Sequence, residues 1–75
     1  MAEYPWQRVL ADLRARIGVG REFPPGAKLP SRRELCERYG VSEIVIDRVM
    51  WHLRQDGAVE TLHGVGVFVR DDHPE

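Results

Sequence analysis

The stretch Leu29-Pro-Ser-Arg-Arg-Glu-Leu-Cys-Glu-Arg-Tyr-Gly-Val-Ser42 decides the fold, together with the helical pattern that follows it. Ser31 with Glu34 three residues later is a capping box, so a short helix is predicted from that cap to about Tyr39. Gly40-Val41-Ser42 then reads as a tight turn, with Gly40 free to take the left-handed conformation and Ser42 available as a second cap. From about Glu43 to Asp56 the apolar residues Ile46, Val49, Met50 and Leu53 recur at helical spacing, and Gly57 is a natural terminator. Glu43, Ile44, Val45, Asp47, Arg48, Trp51 and His52 fall on the other faces of this helix. Two helices joined by a three-residue turn containing glycine form a helix-turn-helix.

Working outward, Pro5 suits the first turn of a helix, where its missing N–H costs nothing. Trp6, Val9, Leu10, Leu13 and Ile17 then recur at helical spacing, which predicts an amphipathic helix over about Pro5–Ile17, stopped at Gly18-Val-Gly20. Trp6 belongs to its apolar stripe and is expected in the core. Prolines at 24, 25 and 30 make the segment from Phe23 to Pro30 a shaped connector. Downstream of Gly57, the β-prone runs Ala58–His63 and Val67–Arg70 flank Gly64-Val-Gly66 and read as a hairpin. The expected fold is mainly α with a small β-hairpin: a winged helix-turn-helix of three helices plus a two-stranded wing. It is expected to occupy residues 1–70, with residues 71–75 as a flexible acidic tail. Such a unit presents one helix to a DNA major groove, whose width admits it.

The chain has 75 residues, 43% of them hydrophobic and 31% charged, which suits one small folded domain. No apolar run is long enough to span a membrane and the charged start is no secretory signal, so a cytoplasmic location is expected and no membrane partner. The single cysteine, Cys36, excludes an internal disulfide or a cysteine zinc cluster and reads as a half-buried thiol. His52, His63 and His73 share no ligand spacing, and Gly18-Val-Gly20 follows a helix where a phosphate cradle would precede one. No catalytic set, metal or cofactor is expected, and a binding module is the better reading than an enzyme. The net charge of −1 conceals a gradient. Residues 21–41 carry five Lys or Arg against three Asp or Glu, whereas residues 57–75 carry one against four. Salt screens charges beyond about 10 Å, so the local excess is what a ligand meets.

Read together, the motif Leu29–Ser42, the upstream Pro24-Pro-Gly-Ala-Lys-Leu-Pro30 and the downstream Leu53-Arg-Gln-Asp-Gly57, Val59-Glu60 and Gly64-Val-Gly-Val-Phe-Val69 resemble the DNA-binding domain of GntR-family transcription regulators. The similarity runs over roughly Trp6–Val69. It implies double-stranded DNA as partner, contacted by an arginine early in the second helix, which Arg33 matches, and by a wing tip matched by His63 and Gly64. Family members usually start the recognition helix with an arginine, small polar residues and another arginine; this chain has Glu43, Ile44, Val45 and Asp47 there. The carboxylates repel phosphate, and contribute only by accepting from a cytosine amino group or by pairing with Arg48. Ile44 and Val45 can touch a thymine methyl. Lys28, Arg32, Arg33, Arg38 and Arg48 are left to hold phosphates. The candidate DNA-binding residues are therefore Lys28, Ser31, Arg32, Arg33, Ser42, Glu43, Ile44, Val45, Asp47, Arg48, His63 and Gly64.

Two functions are compatible with these residues. One is a sequence-specific DNA-binding transcription regulator, most simply a repressor. The other is a protein-interaction module on a winged-helix scaffold with weak or no DNA binding, suggested by the apolar and acidic face of Glu43, Ile44, Val45, Asp47 and Trp51. Family members generally carry a ligand-binding domain after the wing, so no small-molecule effector pocket is expected in these 75 residues. A homodimer on DNA, meeting through Tyr4, Trp6 or Trp51, is a further expectation.

Overall fold

The computed structural model describes residues 4–71. Three helices, α1 (Pro5–Ala15), α2 (Arg32–Tyr39) and α3 (Glu43–Gln55), precede an antiparallel hairpin of β1 (Val59–Leu62) and β2 (Gly66–Val69). This is the winged helix-turn-helix read from the sequence. The expected tail beyond Asp71 lies outside the described residues.

The capping box is formed as its spacing requires: the Glu34 N–H donates to Ser31 Oγ (3.1 Å) and the Ser31 N–H donates to Glu34 Oε1 (2.7 Å). Gly40 ends α2 in the left-handed region at φ 67°, a conformation that costs glycine nothing. Ser42 differs from expectation, since it precedes α3 in an extended conformation but makes no side-chain capping bond. The first helix also stops two residues earlier than its periodicity suggests. Ile17 is taken into a parallel bridge with Phe23, whose N–H donates to the Arg16 carbonyl at 2.7 Å, and this pairing outcompetes another helical turn.

Leu13, Leu35, Ile46, Val49 and Leu53 are fully buried, and Val9, Leu10, Phe23, Leu29, Met50, Val59 and Val69 complete one core. The stripe read from α3 is thus buried throughout, and it joins α1, α2 and the wing. Trp6 is only half-buried; it stacks flat on His52 with ring centroids 4.6 Å apart.

Hairpin register pairs Val59 with Val69 and Leu62 with Gly66. The turn falls at His63–Val65, one residue earlier than Gly64-Val-Gly66, with the Val65 N–H donating to the Leu62 carbonyl at 3.0 Å. The connector does more than link helices. The Leu29 N–H donates to the Val67 carbonyl and the Val69 N–H to the Ala27 carbonyl, both at 2.8 Å, so residues 27–29 line the free edge of β2. An isolated two-stranded hairpin is marginal in water, and this third segment fixes the wing relative to α2 and α3.

Candidate nucleic-acid interface

One face of α3 and the wing beside its tip border a common cleft of about 580 Å³. Lys28, Ser31, Arg32 and Asp47 line it, as do Met50 and Arg54 of α3 and Thr61, Val65 and Gly66 of the wing. Helix α2 abuts it through its first residues, because the turn at Gly40 sets α2 across α3.

Arg32 is the most constrained cation of this face. Its Nε donates to Asp47 Oδ1 at 2.8 Å, its Nη2 to Asp47 Oδ2 at 3.0 Å and its Nη1 to Glu43 Oε1 at 3.3 Å. The two carboxylates hold the guanidinium above its ordinary pKa, Asp47 through its hydrogen bonds first. This corrects the pairing expected with Arg48. Arg48 instead extends over Trp6, with its guanidinium carbon 4.6 Å from the ring centroid, a cation–π geometry. Arg32 wins the carboxylates because it begins α2 opposite the first two turns of α3.

Arg33 points into solvent. Its side chain is 86% exposed and, among the described residues, is paired only with Glu37, loosely, at 3.6 Å. Among the described residues, the Lys28 and Arg54 side chains make no ion pair or hydrogen bond; bonds with Ser31 lower the pKa of Glu34, and the Lys28 charge adds to this at longer range. The Lys28 chain crosses directly over Gly66, where a Cβ would lie 2.7 Å from Lys28 Cε. Arg38, expected to hold phosphate, is engaged elsewhere: its Nη2 and Nη1 donate to Glu22 at 2.6 and 2.9 Å. It belongs with Asp12, Arg16, Glu22 and Tyr39 to a network that ties α1 to α2.

Of the apolar residues on α3, Ile44 is 79% and Trp51 52% exposed, whereas Val45 is half-buried and packs on the core. Val45 is therefore poorly placed to meet a thymine methyl. Ser42 and His63 are exposed, and Gly64 occupies the third position of the wing turn at φ 76°, which favours glycine. The structure thus brings Lys28, Ser31, Arg32 and Asp47 to one cleft beside Glu43, and sets His63 and Gly64 apart at the wing tip. Arg54 and Thr61 were missed from the sequence. Arg54 lies seven residues after Asp47, two helical turns along the same face, so its spacing held the signal.

A family model described as bacterial regulatory proteins of the gntR family matches residues 5–69. The chain belongs to the GntR family. Among relatives of this GntR-family chain, the Uxu operon transcriptional regulator of Escherichia coli is 34% identical over 71 residues, 95% of this chain and 27% of that protein. The HTH-type transcriptional repressor NagR of Bacillus subtilis is 31% identical over 64 residues, 85% of this chain and 26% of the repressor. Among solved structures, AraR(DBD) in complex with an operator matches with a TM-score of 0.83 at 26% identity, covering 92% of this chain and 82% of that one. The GntR-family chain spans about a quarter of the length of these two curated relatives.

Proposed function

We propose that this GntR-family chain binds double-stranded DNA and regulates transcription, most simply by occluding a promoter as a repressor, in the cytoplasm and without catalysis. In this reading the exposed side of α3 enters the major groove, the His63–Gly64 tip reaches the adjacent minor groove, and the intervening strand runs past the cleft. The observation that carries it is the cleft itself: two cations without partners among the described residues, Lys28 and Arg54, lie between the helix and the wing where a phosphate backbone would pass. The likeness to AraR(DBD), solved with an operator, supports the same placement. A dimer on a two-fold site is part of the proposal, since paired half-sites are how such units gain length of recognition.

The test is selection of bound sequences from random duplex DNA, followed by affinity measurement at two salt concentrations. A recurrent motif, with affinity falling steeply as salt rises, is the expected result. Failure to retain any duplex at low salt would overturn the proposal and favour the protein-interaction module, for which the exposed Ile44 and Trp51 are the specific motive.

A further inference from the structure

The recognition helix lacks arginine at positions 43 and 47, yet a guanidinium stands there all the same. Arg32, supplied by α2, is held between those two side chains by three hydrogen bonds. A free arginine on a surface loses rotamer freedom when it binds; this one is already fixed, which lowers the cost of using it in recognition. Exposed ion pairs contribute little to stability, so the fold gains little from the arrangement.

The donor count shows what the group can still do. A guanidinium has five N–H groups, and three are engaged, leaving one on Nη1 and one on Nη2. The triad of Arg32, Asp47 and Glu43 carries a formal charge of −1, so a phosphate meets repulsion there. A neutral base edge with two acceptors does not, and guanine presents O6 and N7 in the major groove. Glu43 makes the longest of the three bonds and has a largely exposed side chain, so its carboxylate retains lone pairs for a donor. The cytosine opposite that guanine presents its N4 amino group in the same groove.

We propose that Arg32 and Glu43 together read one G·C base pair, Arg32 on guanine and Glu43 on cytosine, with Asp47 as the positioning residue that aims Arg32. The inference rests on the DNA-binding reading above. It adds to it that base recognition in this chain is delivered from α2 across to α3.

The experiment takes the sequence selected by the wild-type chain, replaces each base pair in turn, and measures affinity for wild type, Arg32→Ala, Arg32→Lys, Glu43→Ala and Asp47→Asn. Wild type should discriminate against loss of one particular G·C pair by about 5- to 150-fold. Arg32→Ala and Arg32→Lys should both erase that discrimination at that position alone, since lysine keeps the charge but lacks the planar fork. Glu43→Ala should relax the same position, and Asp47→Asn should weaken it in part, with the salt slope unchanged in every case. Thermal melts identify any variant that fails to fold, and Arg32→Lys, which retains the cation, then carries the decision. Uniform weakening across all sequences by Arg32→Ala, with a salt slope lower by about one, would mean a phosphate contact and overturn the proposal. So would effects of Arg32 and Glu43 at unrelated positions. If wild type selects no sequence at all, the regulator reading fails first and this inference with it; if it selects one that Arg32 does not influence, only this inference fails.

Discussion

At the scale of single residues, the charges divide into those already matched and those left open. Arg16 and Tyr39 both donate to Asp12, at 2.8 and 2.7 Å, and hold its carboxyl below the ordinary value of 3.8. Arg38 does the same for Glu22. A carboxylate depressed in the folded state stabilises above its unfolded pKa and loses that contribution as pH falls through the folded value. Thermal melts should therefore show a midpoint that declines as pH drops below the ordinary carboxylate range, and Asp12→Asn should flatten part of that decline. Tyr39 behaves with the opposite sign: burial first, and then its bond to Asp12, push its phenol up to about 12 from 10.0. Its contribution is complete below pH 10 and is lost as pH rises through about 12, so Tyr39→Phe should lessen the alkaline fall in melting temperature. On the proposed DNA face, Arg33 has no firm partner among the described residues, and Arg33→Ala is expected to lower the salt slope of binding by about one, measured by titration at several salt concentrations. A loss confined to sites carrying one guanine would instead make Arg33 a base reader.

Elements carry the next set of expectations. Ser31 and Ser42 both precede helices, but only Ser31 closes a hydrogen-bonded cap. Ser31→Ala should cost about 1 kcal/mol in denaturant unfolding, whereas Ser42→Ala should be close to neutral. Equal effects would show that the two caps do not differ as described. Leu53, with no exposed surface, joins α3 to the rest of the core, and Leu53→Ala should cost about 2–5 kcal/mol, enough to unfold so small a domain. The buried stripe of α3 was legible because 3.6-residue periodicity reports which face of a helix is buried. The end of α1 was less so, since the bridge between Ile17 and Phe23 is a pairing that helical periodicity does not contain.

For the whole molecule, the question is how one small domain with a net charge of −1 would meet the polyanion proposed as its partner. The answer lies in the arrangement: Glu22 and Asp12 are paired with Arg38 and Arg16 away from the proposed DNA face, and Arg32 offsets one of the two negative charges that Glu43 and Asp47 place on α3. Lys28 and Arg54 are left in the cleft without partners among the described residues. Replacing both by alanine should lower the salt slope by about two for all sequences alike while leaving the preferred sequence unchanged. Replacing Glu43 and Asp47 together by arginine should raise non-specific affinity and, by freeing Arg32, blunt discrimination at the G·C pair. Sedimentation at micromolar concentration should find the 75-residue chain monomeric or weakly dimeric; a tight dimer would point to an aromatic surface such as that of Trp51.

The sequence by itself determined the helices, the turn at Gly40, the hairpin and the buried stripe of α3. Each is encoded within a few neighbouring residues, by caps, by glycine where φ must be positive and by the periods of helix and strand. It also marked Arg32, Arg33, Glu43 and Asp47 as residues of one surface. Only the tertiary structure decided their partnerships. Arg32 is 11 residues from Glu43 and 15 from Asp47, and Arg38 is 16 from Glu22. Local patterning states which face a side chain occupies but not which charge will stand opposite once elements pack. For the same reason the connector's pairing with β2, and the cleft it forms around Lys28 and Arg54, exist only when segments distant in the chain come together.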